Sequence, residues 1–314
     1  MSEFDLIAEI KARAPAGSGV VLGIDDDAAV LQPAPGMQLV ATTDNLVAGR
    51  HFVDSGNNRA TPEEIGHLAL AVNLSDLAAM GALPRWCLLT LTLPEADMVW
   101  LGGFLDGFLA LAAEHDCTLV GGNMARGPLN IGVTALGEVP DSRFVTRCGA
   151  RPGDRIFVSG TLGDAAAALK LDARPSHPLR RRLLRPQPRV QVGQQLAALA
   201  RAMIDISDGL LADLAHLTGD PNDRLGAEID CERLPASAAL KLALPEARQR
   251  WPLQFAGGDY ELLVLLPEAA AAPASVAGIG LTEIGRITES GRLQCLDADG
   301  RIVENTGSGW DHFR

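Results

Sequence analysis

NLSDLAAMGA, residues 73–82, closes a helix that the sequence predicts from Thr61 to about Met80. The helix opens with TPEE, in which Thr61 and Glu64 form a capping box around a proline at the first helical position. Gly81 ends it, because glycine readily adopts the left-handed conformation found after helices. With this helix located, the strands on either side of it can be located as well.

Asp76 lies on the apolar face of that helix. Steps of four, three and four residues return to one side of a regular helix, so Asp76 shares a stripe with Ile65, Ala69 and Val72. A buried carboxylate is costly unless it meets a cation, a hydrogen-bond network or a bound metal. A capping or salt-bridged acid near a helix end is the alternative interpretation.

Strands and helices alternate outward from this helix, which predicts an α/β fold of the layered (α+β) kind. A proline-glycine turn in ARPGD divides the chain into domains at 1–147 and 148–314. Helices are expected at 3–13, at 95–115, after SGTLGD and from SDGLLADLAHL, and strands at 20–24, MQLVATTD, 86–93, TLVGG, LNIGVTALGEV, IFVSG, DYELLVLLP, RLQCL and RIVE, with GGNMARGP as a loop.

Composition argues against several classes of function. The net charge of −12 disfavours nucleic acids and anionic membranes as partners, because both attract basic surfaces. No apolar run reaches the roughly 18 residues of a membrane span, and the N-terminus lacks a signal-peptide core. The five cysteines form no close pair in sequence and are interpreted as reduced core thiols. We expect a cytoplasmic protein whose arginine-rich segment, 174–189, is solvated surface.

Acids follow several of the predicted strands. Asp26 and Asp27 come after the strand at 20–24, Asp44 ends the next strand, and the loop GGNMARGP follows a third. Ligand sites in α/β sheets lie beyond such strand ends. These positions therefore predict a binding site.

A second group of polar residues precedes a helix in the other half of the chain. IDISDG brings Asp205, Ser207 and Asp208 together. Ser207 or Asp208 could be an ordinary N-cap, which is the alternative interpretation. The presence of several such clusters favours a functional one.

Clusters of oxygen ligands without histidine or thiol partners suit magnesium rather than zinc. Magnesium held by a few carboxylates and by substrate phosphates is typical of nucleotide chemistry. The sequence has no GxxxxGK[ST] phosphate loop. Any ATP must therefore be held through metal ions.

A set of motifs resembles one known family over nearly the whole chain. From about residue 20 onward they follow the family order: GIDDDAAV, TTDNLVAGRHF, AVNLSDLAAMGA, GGNMARGPL, VTRCGARPGD, SGTLGD, LRPQPR, AMIDISDGLLADL and GWDHF. The chain is similar to bacterial thiamine-monophosphate kinase, of the aminoimidazole ribonucleotide synthetase superfamily. The resemblance implies a two-domain α/β fold, an N-terminal domain that binds ATP and magnesium, and a homodimer with paired N-terminal sheets.

The resemblance also implies roles for single residues. Asp27, Asp44, Asp76 and Asp208 match acids that serve phosphoryl transfer. Contacts with ATP are implied for Gly122, Asn123, Arg147 and Ser207, and contacts with thiamine monophosphate for His51, Asp259 and Trp310. The residues implied to bind magnesium are Asp27, Thr42, Thr43, Asp44, Asp76, Asp205 and Asp208.

Three positions depart from the family pattern. Asp25 stands where the family has a glycine, and Asn123 replaces a metal-binding aspartate. The stretch AGGDYEL is one residue shorter than its counterpart, so the substrate-side acid is Asp259 or is missing. We interpret Asp25 as partly restoring the charge lost at Asn123.

Three functions are compatible with these residues. The leading hypothesis is direct in-line transfer of the γ-phosphoryl group of ATP to thiamine monophosphate, which yields thiamine diphosphate. A superfamily ATPase acting on another substrate is the second. A protein that only binds nucleotide or thiamine phosphate, as a sensor, is the third.

Overall fold

The computed structural model describes residues 3–24, 26–56, 58–171, 174, 177–219, 225–304 and 309, which fall into two compact units. The first unit comprises Met1–Leu77, Ala82–Ser142 and Leu184–Pro186. The second comprises Ala78–Gly81, Arg143–Leu183 and Gln187–Arg314. The sequence-based domain division at 147/148 stays a prediction. Within the described ranges, no helix combines the length and the apolar character that crossing a membrane requires.

A four-stranded sheet forms the base of the first unit. The elements of this unit are α1 Glu3–Arg13, the paired strands β1 Val20–Leu22 and β2 Val30–Leu31, β3 Met37–Val47, α2 Pro62–Ala79, whose last two residues belong to the second unit, β4 Leu83–Leu93, α3 Met98–Glu114, β5 Thr118–Arg126 and β6 Asn130–Pro140. The sheet has the strand order β3-β6-β4-β5. Strands β3 and β4 run antiparallel to β6, and β5 runs parallel to β4, so the C-terminal ends of β3, β4 and β5 lie at one edge.

The predicted capping box at the start of α2 is confirmed. The amide of Glu64 donates to Thr61 Oγ1 over 3.1 Å, and Glu64 Oε2 accepts from the amide of Thr61 over 2.8 Å. These two bonds satisfy the amides of Thr61 and Glu64, which have no acceptor within the helix. The helix then continues to Ala79, one residue short of the expected end.

Helices α2 and α3 cross at glycines, which have no side chain to keep the two backbones apart. A Cβ added to Gly66 would lie 2.0 Å from the carbonyl oxygen of Phe104, and one added to Gly107 would lie 1.9 Å from that of Glu63. Real Cβ atoms do not approach oxygen so closely, so the backbones of the two helices touch through these glycines. This crossing brings α2 close to α3.

The prediction of a loop at GGNMARGP is wrong for most of its length. Strand β5 continues to Arg126 and pairs in parallel with β4 from Leu88↔Gly121 to Leu93↔Arg126. The glycines suggested a loop, but the neighbouring strand supplies hydrogen-bond partners for the whole segment. The remaining connection to β6 is short.

Within the described residues, a seven-stranded sheet forms the base of the second unit. The elements are β7 Arg155–Ser159, α4 Asp164–Lys170, α5 Pro178–Leu184, whose last residue belongs to the first unit, α6 Val190–Leu196, β8 Ala202–Asp205, α7 Leu210–Leu217, β9 Gly226–Asp230, a 3-10 turn Cys231–Arg233, α8 Ala238–Ala243, α9 Ala247–Gln254, β10 Leu262–Leu266, β11 Ser275–Val276, β12 Ile279–Thr288 and β13 Leu293–Leu296. The strand order is β13-β9-β12-β7-β10-β8, with β11 beside β12. Strands β7 and β8 both run antiparallel to β10, so their C-terminal ends lie at the edge where β10 begins.

Three further expectations need correction. The predicted last strand, RIVE, forms only an isolated bridge between Ile302 and Leu296. Cys148 is exposed, whereas the other four cysteines are buried thiols. The arginine-rich segment 174–189 is not simply solvated, since Arg182 and Arg189 form ion pairs with the fully buried Glu261.

Candidate active site

Asp76 in the first unit has a hydrogen-bond partner on the neighbouring strand. Its Oδ2 accepts a bond of 2.5 Å from Thr42 Oγ1 on β3. The stripe to which Asp76 was assigned is buried, and Asp76 itself is half-buried. A hydroxyl donor of this kind satisfies part of a carboxylate and leaves lone pairs for other partners.

Asp44 lies on the same face of β3 as Thr42, whereas Thr43 lies on the other face. Side chains alternate along a strand, so positions 42 and 44 project to one side. The hydroxyl of Thr43 donates to the carbonyl of Val133 over 3.0 Å and accepts from Thr134 Oγ1 over 3.1 Å. The structure therefore brings Thr42, Asp44 and Asp76 to one face and leaves the Thr43 side chain out.

Asn123 shares the face of Thr43 rather than that of the carboxylates. Asn45, Gly132, Thr90 and Asn123 form one row across the four strands, and directly paired residues project to the same side. The Asn123 side chain therefore does not join Asp76. Asp25 lies outside the described residues, so its compensation for Asn123 stays a prediction.

Gly122 lies in the row of Asp44. A Cβ at Gly122 would lie 1.8 Å from the carbonyl oxygen of Leu89, so this position admits no side chain. No side chain therefore projects from this strand in the row of Asp44.

Asp27 lies in the connection between β1 and β2 and is exposed. Its amide donates to Asp26 Oδ1 over 2.8 Å. Within the part of the chain that the structure describes, no three acidic, histidine or cysteine side chains come together as a group that could hold a metal ion. Asp27, Asp44 and Asp76 thus do not form a complete metal site by themselves.

The donors on this face nevertheless fit magnesium. Thr42, Asp44 and Asp76 offer only oxygen atoms, which are the ligands that magnesium prefers. Magnesium usually keeps several waters and is bound by one or two carboxylates plus substrate phosphates. A face with two carboxylates therefore fits a magnesium ion that arrives with a phosphate ligand.

His51 is held at the end of β3. Its Nδ1 accepts a hydrogen bond of 2.9 Å from the amide of Val47. In the neutral ring this bond leaves the proton on Nε2. The ring is thus fixed in one tautomer as a donor at the edge where the parallel strands end.

In the second unit, the loop after β8 carries the predicted trio. Asp205 is buried at the end of the strand, and Ser207 and Asp208 are half-buried in the loop. Gly209 is the N-cap of α7 and no side chain caps the helix from that position. The alternative interpretation of Ser207 or Asp208 as an ordinary N-cap is therefore wrong.

Asp213 holds this loop and was missed in the sequence. Its Oδ2 accepts from the amides of Ser207, Asp208 and Gly209 over 3.1, 3.2 and 3.0 Å. Burial, aided by the charge of Asp208, raises the pKa of Asp213 to about 7, against the effect of the three N–H donors. The signal that could have found it is an acid four residues after the loop glycine, on the first turn of the helix.

The glycine loop before β10 holds the same segment from the other side. The amide of Gly258 donates to the carbonyl of Ser207 over 2.9 Å, and that of Tyr260 donates to the carbonyl of Ile206 over 3.0 Å. A Cβ at Gly257 would lie 2.0 Å from the Ser207 oxygen, which explains the glycine. Tyr260 adopts a φ of 51°, a conformation that costs free energy for a residue with a side chain.

Asp259 is buried beside the start of α4. Its oxygens accept from the amides of Gly163 over 2.7 Å and Ala165 over 3.4 Å. Burial raises the pKa of Asp259 to about 7. The geometry makes it a support for the loop SGTLGD.

Glu261 is a second buried acid that sequence reasoning missed. It accepts from Ser159 Oγ, from Arg182 and through both oxygens from Arg189, each bond 2.6 Å long. Bidentate arginine pairs of this kind are strong and geometrically specific. They fix the C-terminal end of the glycine loop.

The remaining predicted residues lie at the surface or beyond the described chain. Arg147 is exposed. Trp310 is outside the described residues, but its neighbour Gly309 is described. A Cβ at Gly309 would lie 2.7 Å from that of Ala212 and 3.4 Å from the carbonyl oxygen of Asp208. Gly309 itself thus lies beside the Asp208 loop.

Comparison with known proteins gives matches over almost the whole chain. The family models described as AIR synthase related protein, N-terminal domain, and AIR synthase related protein, C-terminal domain, match residues 25–139 and 151–297. The thiamine-monophosphate kinase of Escherichia coli (strain K12) is 42% identical over 325 aligned positions, which cover 99% of this chain and 98% of the relative.

Two solved structures are similar over nearly their full length. The thiamine-monophosphate kinase from Stenotrophomonas maltophilia K279a aligns with a TM-score of 0.84 and 43% identity, covering 96% of this chain and 98% of its own. A structure of AaThiL complexed with AMPPCP and TMP aligns with a TM-score of 0.77 and 35% identity, covering 99% of this chain and 97% of its own.

Proposed function

The chain belongs to the AIR synthase-related family and to the thiamine-monophosphate kinases within it, and on this premise we propose that it phosphorylates thiamine monophosphate with ATP. The products are thiamine diphosphate and ADP. The observation that carries the proposal is 42% identity to a kinase of that name across 99% of the chain. The site of action we propose is the cytoplasm.

The chemistry we propose is direct in-line transfer. An oxygen of the acceptor phosphate attacks the γ-phosphorus of ATP while the bond to the β,γ-bridging oxygen breaks, and ADP leaves with that electron pair. Such transfers need positioning and charge neutralisation more than a covalent nucleophile. Bound magnesium supplies the charge neutralisation.

Residues of the first unit would hold that magnesium. Asp44 and Asp76 offer carboxylates on one face of the sheet, and the Thr42 hydroxyl orients Asp76. Asp27, on the exposed β1–β2 connection, is a further candidate ligand. Thr43 could contribute through its backbone, since its side chain is bonded on the opposite face.

Residues of the second unit would serve the nucleotide. Asp205 and Asp208 are the candidate metal ligands of the loop after β8, and Ser207 and Arg147 are the candidate contacts with ATP.

The candidate contacts with thiamine monophosphate are His51, a fixed hydrogen-bond donor, and the aromatic ring of Trp310. Asp259 would act by supporting the loop SGTLGD.

The assay is the purified protein with ATP, magnesium and thiamine monophosphate, analysed for thiamine diphosphate. Inversion at a chiral γ-phosphorus is expected, whereas retention or a trapped phospho-enzyme would contradict direct transfer. A different phosphorylated product would favour the superfamily ATPase, and binding without any product would favour the sensor.

A further inference from the structure

The backbone of the loop Ile206–Gly209 is hydrogen-bonded on both sides. Its amides at Ser207, Asp208 and Gly209 all donate to the carboxylate of Asp213, which is 2% exposed. Its carbonyls at Ile206 and Ser207 accept from the glycine loop. The backbone has few groups left for a ligand, so the loop can offer mainly its side chains.

Three successive N–H groups that point at one spot form a concave anion site. Such sites commonly bind the phosphates of nucleotides. Here the protein's own carboxylate occupies the site. A phosphate would have to displace Asp213, which is buried behind the loop, to use those donors.

We propose that Asp213 is a positioning residue for phosphoryl transfer, holding the loop so that Asp205, Ser207 and Asp208 are presented to magnesium and nucleotide. This inference rests on the proposed function of that loop. It also implies that metal ions and side chains bind the nucleotide phosphates, because the loop amides already donate to Asp213. In this role Asp213 does not contact the substrate and acts only through the loop.

A merely structural role is the competing explanation, because Asp213 also stabilises the start of α7. Asp154 provides the matched control. It is equally buried, accepts from the amide of Arg151 over 2.8 Å and pairs with Arg201, and it lies before β7, at the opposite edge of the same sheet. Asp154→Asn should lower stability without touching the loop.

The first measurement is amide hydrogen exchange in the metal-free protein, followed by mass spectrometry of the peptide 206–212. Asp213→Ala should speed exchange of this peptide by about tenfold or more, the effect of losing hydrogen bonds to a charged acceptor. Asp213→Asn should be intermediate, because one amide oxygen still accepts. Equal exchange in the wild type and in Asp213→Ala would overturn the proposal.

The second measurement is the magnesium concentration that gives half-maximal activity, with kcat and KM for ATP. Asp213→Asn should raise the magnesium requirement and the KM for ATP by about tenfold, as residues that orient metal ligands do. Asp154→Asn should leave the magnesium requirement and the KM for ATP within about twofold of the wild-type values, because its site is distant from the loop. A parallel loss of stability and activity in both variants would reduce Asp213 to a structural residue.

Failure of the proposed function can be told apart from failure of this inference. If the wild type makes no thiamine diphosphate, the kinase proposal falls. Binding of magnesium with AMPPCP, measured by calorimetry, still compares the wild type with Asp213→Asn. Equal affinity in those two proteins would overturn the positioning role whatever the substrate is.

Discussion

At the scale of single residues, the half-buried carboxylate of Asp76 on α2 accepts a hydrogen bond from the hydroxyl of Thr42 on β3. Asp76→Asn removes the charge with little change in shape. Turnover should fall by about a hundredfold or more if the charge holds magnesium. The melting temperature should stay the same or rise, because a partly buried charge is relieved.

The control is Asp106→Asn on α3. Asp106 forms a 2.5 Å ion pair with Arg13 at the surface, and exposed pairs contribute little. This variant should keep its turnover. Lost stability with retained turnover in Asp76→Asn would support the salt-bridge interpretation of that residue.

His67 predicts a dependence of stability on pH. Burial lowers the pKa of His67, whose Nε2 lies 2.8 Å from the carbonyl oxygen of Pro186. The unfolded chain takes up the proton near the ordinary pKa of 6.5, while the folded ring resists it. The free energy of unfolding should therefore fall as the pH drops below 6.5 towards the lower folded pKa.

His67→Gln keeps a donor for the carbonyl and removes that titration. Denaturation at pH 8 should find the variant equal to or less stable than the wild type. At pH 5 the difference should shrink or reverse. Parallel curves for the two proteins between pH 8 and pH 5 would rule out this role of His67.

Sequence patterns located Asp76, Asp44 and Asp205 because each stands at a strand end or on a helical stripe. They did not find Glu261, because a carboxylate that pairs with distant arginines leaves no local pattern. Asp213 was also missed, although it accepts from amides only four to six residues earlier and lies on the first turn of the following helix. They also could not assign Asn123 to a face of the sheet, since that depends on the register of four strands.

At the scale of elements, the crossing of α2 and α3 depends on Gly66 and Gly107. Gly107→Ala would push a methyl group into the carbonyl of Glu63, 1.9 Å away. The helices must separate to accept it, at a cost of about 1–3 kcal/mol. The urea midpoint should fall accordingly.

Gly102→Ala on the same helix is the matched control. A Cβ there meets nothing closer than a nitrogen of Arg13 at 4.0 Å. Alanine should stabilise the helix interior by about 0.5–1 kcal/mol. If both variants shifted the midpoint in the same direction, close backbone contact would not be the reason for Gly107.

Helices and strands were mostly predictable at this scale, since α1, α2 and β4 follow clear periodicity and capping signals. The extension of β5 through the glycines was not, because its hydrogen bonds come from β4. The two helix glycines are likewise explained only by the neighbouring helix.

At the scale of the whole molecule, the sheet face opposite α2 exposes apolar side chains. Leu39 is 52% and Val47 37% exposed on β3. Exposed apolar patches commonly mark interfaces. We propose that this face pairs the sheets of two copies in the expected homodimer.

Leu39→Asp should convert the dimer to monomers at concentrations where the wild type is dimeric, because an unpaired charge would be buried in an apolar contact. Light scattering after size-exclusion chromatography measures this. Val99→Asp, at a residue 86% exposed on α3, should leave the dimer intact. A monomeric wild type, or a dimeric Leu39→Asp, would contradict this interface.

The strained residue of the glycine loop is also the only tyrosine of the chain. Biosynthetic fluorotyrosine would therefore give a single ¹⁹F resonance, and it would come from a residue whose backbone amide donates to the carbonyl of Ile206. The protein thus carries a built-in spectroscopic probe on a residue bonded to Ile206, the neighbour of Ser207. Titration of magnesium and then AMPPCP would follow ligand arrival at this loop without any added label elsewhere.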